Sequence, residues 1–105
     1  MLKMIYLVNY AQQGCSGLMQ DWDREPALRK RFEAVGGKLI SIAFTHGLFD
    51  LVVRVEMPDM NAAHAALTVA RASGMVSGGV VLQEVDMAAA MALANKAAAL
   101  EKPQG

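Results

Sequence analysis

The chain has 105 residues, of which 54% are hydrophobic and 19% are charged, which predicts one folded domain and excludes an intrinsically disordered chain. Ten basic residues balance ten acidic residues, so the overall charge does not favour binding to nucleic acid or to an anionic membrane. The apolar content exceeds what one small domain buries, which predicts a homo-oligomer of at least two copies. A single cysteine, with no signal-peptide pattern and no membrane-spanning apolar stretch, is typical of a cytoplasmic protein.

The amino-terminal half begins with a predicted strand and a predicted helix. Residues 4–10 form a short apolar run rich in Ile, Val and Tyr, which favours a buried strand. Apolar residues then recur partly at helical spacing at Leu18, Trp22, Leu28, Phe32 and Val35. Because Pro26 belongs near a helix start, we expect the regular helix to begin only around residues 21–25, after an irregular segment. The pair Gly36 and Gly37 ends it.

A hairpin is predicted next, followed by a second helix. Residues 38–46 and 48–57 are two apolar, β-branched runs on either side of Gly47, which is typical of paired strands. Asp59 is placed to cap a helix over residues 60–73, which Gly74 ends. The inward stripe of that helix is expected at Met60, Ala63, Leu67 and Ala70.

The carboxyl-terminal part is expected to add a strand and a last helix. Gly78 and Gly79 introduce a predicted strand over residues 80–85, and Asp86 caps a helix over residues 87–100, followed by a tail at residues 103–105. The order β-α-β-β-α-β with a terminal helix predicts an α+β, ferredoxin-like antiparallel sheet with two helices on one face. Right-handed crossovers place the first and third strands in its centre. Residues 1–86 form the domain, and residues 87–105 pack on it or on a partner subunit.

Several segments of the chain resemble the GYD-domain family of small ferredoxin-like proteins of the dimeric α/β-barrel type. The resemblance rests on YLVNYAQQG, GGK, FTHGLFDLVVRVEMPD and GGVVLQEV, and it covers residues 4–85. The glycine, aromatic and aspartate of the family signature correspond to Gly47, Phe49 and Asp50. Phenylalanine replaces the more usual tyrosine, so a phenolic hydroxyl is absent there, and the usual Ser-Pro before the first helix is replaced near Asp21 and Trp22. The resemblance implies the fold and little about function.

The hairpin predicts one face under the helices and one open face. A two-residue turn at Gly47 and Leu48 would pair Thr45 with Asp50 and His46 with Phe49. The helix face would then carry Ile40, Ile42, Phe44, His46, Phe49, Leu51, Val53 and Val55. The open face would carry Leu39, Ser41, Ala43, Thr45, Asp50, Val52, Arg54 and Glu56.

A candidate pocket follows on the open face, near the hairpin tip. The end of the first strand lies beside the start of the third, which brings Asn9 or Tyr10 close to Asp50. If the tyrosines of the first strand face the open side, they line a pocket with a carboxylate and a cation. The candidate ligand-binding residues are Tyr6, Asn9, Tyr10, Thr45 and Arg54. The alternative is that Asp50 pairs with Arg54 or serves the turn backbone.

Proton transfer by Asp50 or His46 is the corresponding catalytic hypothesis. His64 is interpreted as a surface or boundary residue, and Cys15 as a semi-buried small residue rather than a nucleophile. No zinc-ligand spacing and no phosphate-binding glycine pattern is present, so no metal and no cofactor is predicted.

Two functional hypotheses therefore remain open. The first is a non-enzymatic homo-oligomer that binds a small metabolite or a protein partner at the open face. The second is a small cofactor-free enzyme of the dimeric α+β barrel type, such as an isomerase, decarboxylase or oxygenase. The terminal helix has two apolar stripes, and the second either packs on another subunit or is partly exposed.

Overall fold

The computed structural model describes residues 1–101 and confirms the α+β class. The elements are β1 (Leu2–Tyr10), α1 (Gln12–Gln20), α2 (Glu25–Ala34), β2 (Lys38–Phe44), β3 (Leu51–Met57), α3 (Met60–Ala72), β4 (Val76–Gln83) and α4 (Met87–Leu100). The four strands form one antiparallel sheet in the order β2-β3-β1-β4. As predicted, β1 and β3 are central. The connection from β1 to β2 contains two helices where the sequence predicted one.

The irregular segment expected before residue 21 is instead the helix α1. The sequence pattern did not predict this helix because it contains Gly14 and Gly17, and glycine disfavours a helix interior. A Cβ atom on Gly14 would lie 2.1 Å from the carbonyl oxygen of Met75. A Cβ atom on Gly17 would lie 2.8 Å from Cε of the Met75 side chain. The glycines therefore allow α1 to lie directly against the chain that enters β4. Pro26 is in the first turn of α2, where its missing N–H costs no hydrogen bond.

The hydrophobic core lies between the sheet and α2 and α3, on one face of the sheet. The Tyr6 ring packs against Phe32 of α2 at a centroid distance of 5.4 Å, and its hydroxyl donates to the carbonyl oxygen of Ala63 in α3 at 2.6 Å. The buried apolar residues are Met4, Tyr6, Val8, Phe32, Leu39, Leu51, Val53, Val55, Met57, Ala63, Ala66 and Leu67. The buried stripe of α3 begins at Ala63, so Met60, at the start of the helix, is exposed rather than inward as predicted.

Local capping signals in the sequence are confirmed. The Asp59 carboxylate accepts a hydrogen bond from the Ala62 amide at 2.8 Å, and the Asp86 carboxylate accepts one from Ala89 at 3.1 Å. Gly74 follows α3 with a φ of +76°. In contrast, β4 begins earlier than predicted. Gly79 lies inside this strand, where a Cβ atom would approach Val8 Cγ1 to 2.8 Å, so it serves close packing rather than a turn.

A β-bulge in β2 overturns part of the predicted face assignment. The register shifts between Leu39 and Ser41, so that Leu39 lies opposite Val55 while Ile42 lies opposite Val53. Leu39 is buried on the helix side and Ile40 is exposed, the reverse of the prediction. A bulge adds one residue to one strand, which breaks the alternation on which the prediction depended.

Helix α4 has the predicted bounds and extends from the domain. None of its 14 residues is buried. The radius of gyration is 18.0 Å, against about 13 Å for a compact chain of this length. The described residues span 68 × 30 × 21 Å. The predicted tail at residues 103–105 lies outside the described residues.

Candidate functional site

Asp50 joins the end of β1 to the start of β3. Its backbone amide donates to the Val8 carbonyl oxygen at 2.9 Å, and its carboxylate Oδ2 accepts a hydrogen bond from the Tyr10 amide at 2.9 Å. The expected proximity of residues 9 and 10 to Asp50 is therefore present. The carboxylate therefore serves the backbone, which is the predicted structural alternative for this residue, but its donor is the Tyr10 amide of β1 and not Arg54 or the turn.

The hairpin tip is a loop and not a two-residue turn. The Thr45 amide donates to the Asp50 carbonyl oxygen at 2.9 Å, and Thr45 Oγ1 donates to the Phe49 carbonyl oxygen at 2.6 Å. Thr45 and Asp50 are thus paired as predicted. The loop passes through Gly47 at a φ of +139°, which frees His46 from the ladder. The imidazole is exposed, rather than at the rim of the core where the face assignment placed it.

The proposed placement of Tyr6 on the open face is wrong. The even-numbered residues Met4, Tyr6 and Val8 of β1 point toward the helices, and Tyr6 is 3% exposed. Burial raises its pKa from the ordinary value of 10.0 to about 12. Tyr6 is therefore a neutral hydrogen-bond donor within the core. The sequence pattern could not show which face of β1 is buried, because both faces are apolar, with Ile5 and Leu7 on the open side.

Tyr10 also points toward the helix side, beneath α1. A Cβ atom on Gly14 would lie 3.0 Å from Tyr10 Cδ1. The Tyr10 hydroxyl is buried and has no hydrogen-bond partner within the described part of the chain. Burial raises the pKa of Tyr10, and the charge of Asp50 also raises it, while the Arg24 guanidinium lowers it. Asn9, the adjacent candidate, is half-buried and lies opposite Gly78 of β4.

Arg54 is on the open face but does not meet Asp50. Its guanidinium Nη2 lies 3.0 Å and 3.1 Å from the two carboxylate oxygens of Glu84. Arg54 is four positions along β3 from Asp50, about 13 Å at the usual rise. Glu84 was not predicted as the partner of Arg54. The sequence pattern does place Glu84 on the open face, because Glu84 continues the outward alternation of Val80 and Leu82 along β4.

A groove lies around this ion pair on the open face. Its volume is about 130 Å³, and its lining residues are Lys3, Ile40, Arg54, Val55, Glu56 and Glu84. Two cations and two carboxylates thus surround a small space, which suits a polar ligand or the charges of a second protein surface. The middle of the open face, formed by Ile5, Leu7, Val52, Val80 and Leu82, is apolar and lies away from α2 and α3.

The apolar part of the open face is continuous across the sheet. The register places Leu7 between Val52 and Val80, and Ile5 between Arg54 and Leu82. Val80 is 43% exposed and Leu82 is 44% exposed. Exposed apolar side chains in one contiguous patch mark an interaction surface more often than isolated ones do.

The remaining candidates do not converge on a reactive centre. Cys15, expected to be semi-buried, is exposed on α1, because α1 turns Gly14 inward instead. Within residues 1–101, no three His, Cys, Asp or Glu side chains lie close enough to hold a metal ion. None of the helices in that range is long and apolar enough to cross a membrane.

Comparison with known proteins identifies a family and a similar fold. A family model described as "GYD domain" matches residues 4–94. Among solved structures, the chain is similar to one titled "crystal structure of FFRP-DM1", with a TM-score of 0.53 and 15% sequence identity. The alignment covers 81% of this chain and 100% of that one. No curated protein matches.

Proposed function

Since this chain belongs to the GYD domain family, we propose that it is a ferredoxin-like module whose open sheet face associates with a second copy. The association closes the groove beside Arg54 and Glu84 into a site for a small polar molecule. The observation that carries this proposal is the continuous apolar patch on the open face, which includes Val80 and Leu82. The first crossover is then an ordinary ferredoxin-like connection whose helix is divided into α1 and α2.

The dimensions of the surface favour a contribution from α4. Four strands at about 4.8 Å spacing and seven residues at about 3.3 Å rise give a sheet face of roughly 450 Å². A stable interface buries about 800 Å² on each partner. Helix α4 is about 21 Å long and 10 Å wide, which adds roughly 200 Å² of projected surface. None of its side chains is buried, and all but Asn95 and Lys96 are apolar, so packing of α4 against the second copy would supply much of the remainder.

The charges on the open face support pairing with an identical surface. A two-fold interface brings each patch against its own copy, so a self-complementary set of charges is required. Lys3 and Arg54 are balanced by Glu56 and Glu84 around the groove. Closing this groove removes water from the Arg54–Glu84 pair, which strengthens its interaction with a polar ligand.

The proposal does not include proton transfer by Asp50 or His46. The Asp50 carboxylate is engaged by the Tyr10 amide, and the His46 imidazole is exposed in the hairpin loop. The two side chains lie in different environments and do not form one site, and no observation favours a reaction at either one.

A matched pair of valine substitutions tests the self-association. Val80→Arg places a charge in the apolar patch, whereas Val69→Arg places one on α3, at a valine that is 49% exposed. Sedimentation velocity should show that V80R shifts the protein to monomer while V69R retains the wild-type mass. Equal masses for both variants and the wild type would show that the open face is not the interface. Native mass spectrometry then tests the groove, since a small molecule retained by the dimer should be lost in Arg54→Gln.

A further inference from the structure

A cleft on the helix side of the sheet is separate from the open face. It begins as a cavity of about 50 Å³ beneath α2 and α3, next to Tyr6 and Phe32. A second cavity of about 40 Å³ reaches Tyr10 and α1. The two share Leu28, Arg31, Leu51 and Val76 in their walls. A wider groove of about 360 Å³ continues along α1 and shares Arg24 and Met75 with the second cavity.

The Tyr10 hydroxyl is the unexplained group in this cleft. Buried hydroxyls almost always have a hydrogen-bond partner. The Tyr6 hydroxyl has one in the carbonyl oxygen of Ala63, but the Tyr10 hydroxyl has none among residues 1–101. Gly14 allows α1 to pack against the Tyr10 ring, which fixes the ring in the cavity wall. An atom of a bound molecule would satisfy this hydroxyl.

Two arginines lie at the same cavity. Arg24 and Arg31 are half-buried, and both line the 40 Å³ cavity. The structure pairs Arg29 with Glu25 and Arg54 with Glu84, but within residues 1–101 it gives neither cavity arginine an ion-pair partner. Burial raises the pKa of Tyr10, and the charge of Arg24 lowers it, so this guanidinium acts electrostatically on the phenol. Two guanidinium groups beside a phenol favour an oxyanion, and a planar guanidinium matches a carboxylate.

The other walls of the two cavities are mostly apolar. Leu18, Leu28 and Leu51 line the cavity at Tyr10, and Val8, Phe32 and Leu67 line the cavity beneath α2 and α3. One water molecule needs about 10–15 Å³ of such space, so each cavity admits only a few heavy atoms. The cleft therefore suits a molecule with one anionic end and a short apolar tail.

We propose that this cleft binds a short-chain carboxylate. The Tyr10 hydroxyl and the Arg24 guanidinium donate to its carboxylate, and the Arg31 guanidinium adds positive charge to the same cavity. The alkyl tail lies toward Phe32 and Leu67. The site is complete within one chain, on the opposite side of the sheet from the proposed interface. It can therefore exist whether or not the chain self-associates.

Titration with sodium butyrate, followed by amide NMR spectra, tests the site on the whole chain. Butyrate should shift the amides of Gly14, Leu28 and Val76, with a dissociation constant of about 1 mM, as expected for so small a ligand. Butan-1-ol, which lacks the charge, and inorganic phosphate, which lacks the tail, should each bind about tenfold or more weakly. Equal binding of butanol would indicate an apolar cavity alone, equal binding of phosphate would indicate a surface anion site, and either result would overturn the proposal.

Three substitutions assign the interaction to the cleft. Arg24→Gln should weaken butyrate binding about tenfold and Tyr10→Phe about threefold, because each removes a donor to the carboxylate. Arg29→Gln is the control, since Arg29 is on the same helix as Arg31 but is exposed and pairs with Glu25. It should bind as the wild type does. Unchanged binding by R24Q, or an absence of amide shifts in the wild type, would refute the site even if Y10F failed to fold.

Discussion

Replacement of Tyr6 by phenylalanine tests the orientation of the central strand. The substitution removes the hydrogen bond from the Tyr6 hydroxyl to the Ala63 carbonyl oxygen and leaves the ring in place against Phe32. Ala63 is inside α3, so its carbonyl oxygen keeps its helical partner. We therefore expect the free energy of unfolding to fall by about 1 kcal/mol, the typical net contribution of one hydrogen bond. This corresponds to a decrease of about 5 °C in the melting temperature.

The same variant should respond differently to alkaline pH. The pKa of Tyr6 is raised from 10.0 to about 12 in the folded protein, so folding favours the neutral phenol. This contribution is complete below pH 10 and is lost as pH rises from 10 toward 12, because the unfolded chain then ionises first. A shift of two units corresponds to about 3 kcal/mol. The wild type should lose this amount, and Tyr6→Phe should not.

Urea denaturation followed by circular dichroism, at pH 8 and at intervals between pH 10 and pH 12, measures both effects. The wild type should be the more stable protein at pH 8 and the less stable one near pH 12. A tyrosinate absorbance titration supplies an independent check, since the chain contains only two tyrosines and burial raises the pKa of both. Equal stability at pH 8 together with parallel alkaline losses would show that Tyr6 does not face the helices.

Other substitutions test the hairpin tip and the packing of α1. Asp50→Ala should lower the free energy of unfolding by about 1–2 kcal/mol because the Tyr10 amide loses its acceptor. Asp50→Asn retains an oxygen at that position and should lower it less. Equal losses in urea denaturation would contradict this role of the Asp50 carboxylate. Gly14→Ala should cost about 2–3 kcal/mol, since the new Cβ atom meets the backbone of Met75. Gly17→Ala meets only the flexible end of that side chain, so it should be nearly neutral, and a similar loss in both variants would refute the close approach.

Local signals predicted much of this fold. Asp59 and Asp86 cap their helices where the sequence placed them, because an N-cap depends on a side chain and an amide three residues later. The central positions of β1 and β3 followed from crossover handedness. Both arguments need little information from distant parts of the chain.

Features that depend on distant contacts were not predictable in the same way. The glycine at position 14 inside α1 is explained by the close approach of Met75 and Tyr10. The bulge at Ile40 is explained by the register with β3. Alternation could not orient β1, because residues on both of its faces are apolar, and Tyr6 was therefore placed on the wrong side. The partner of Arg54 is Glu84, on the far side of β1, so the pair emerges only after the sheet order is known.

The molar mass of the unmodified chain in solution tests the proposed self-association most directly. The chain has a mass of 11.2 kDa, and light scattering coupled to size-exclusion chromatography at micromolar concentration should give at least twice that value. Substitution of Val80 by arginine should return the mass to that of one chain. A wild-type mass of 11.2 kDa throughout the micromolar range would contradict the account.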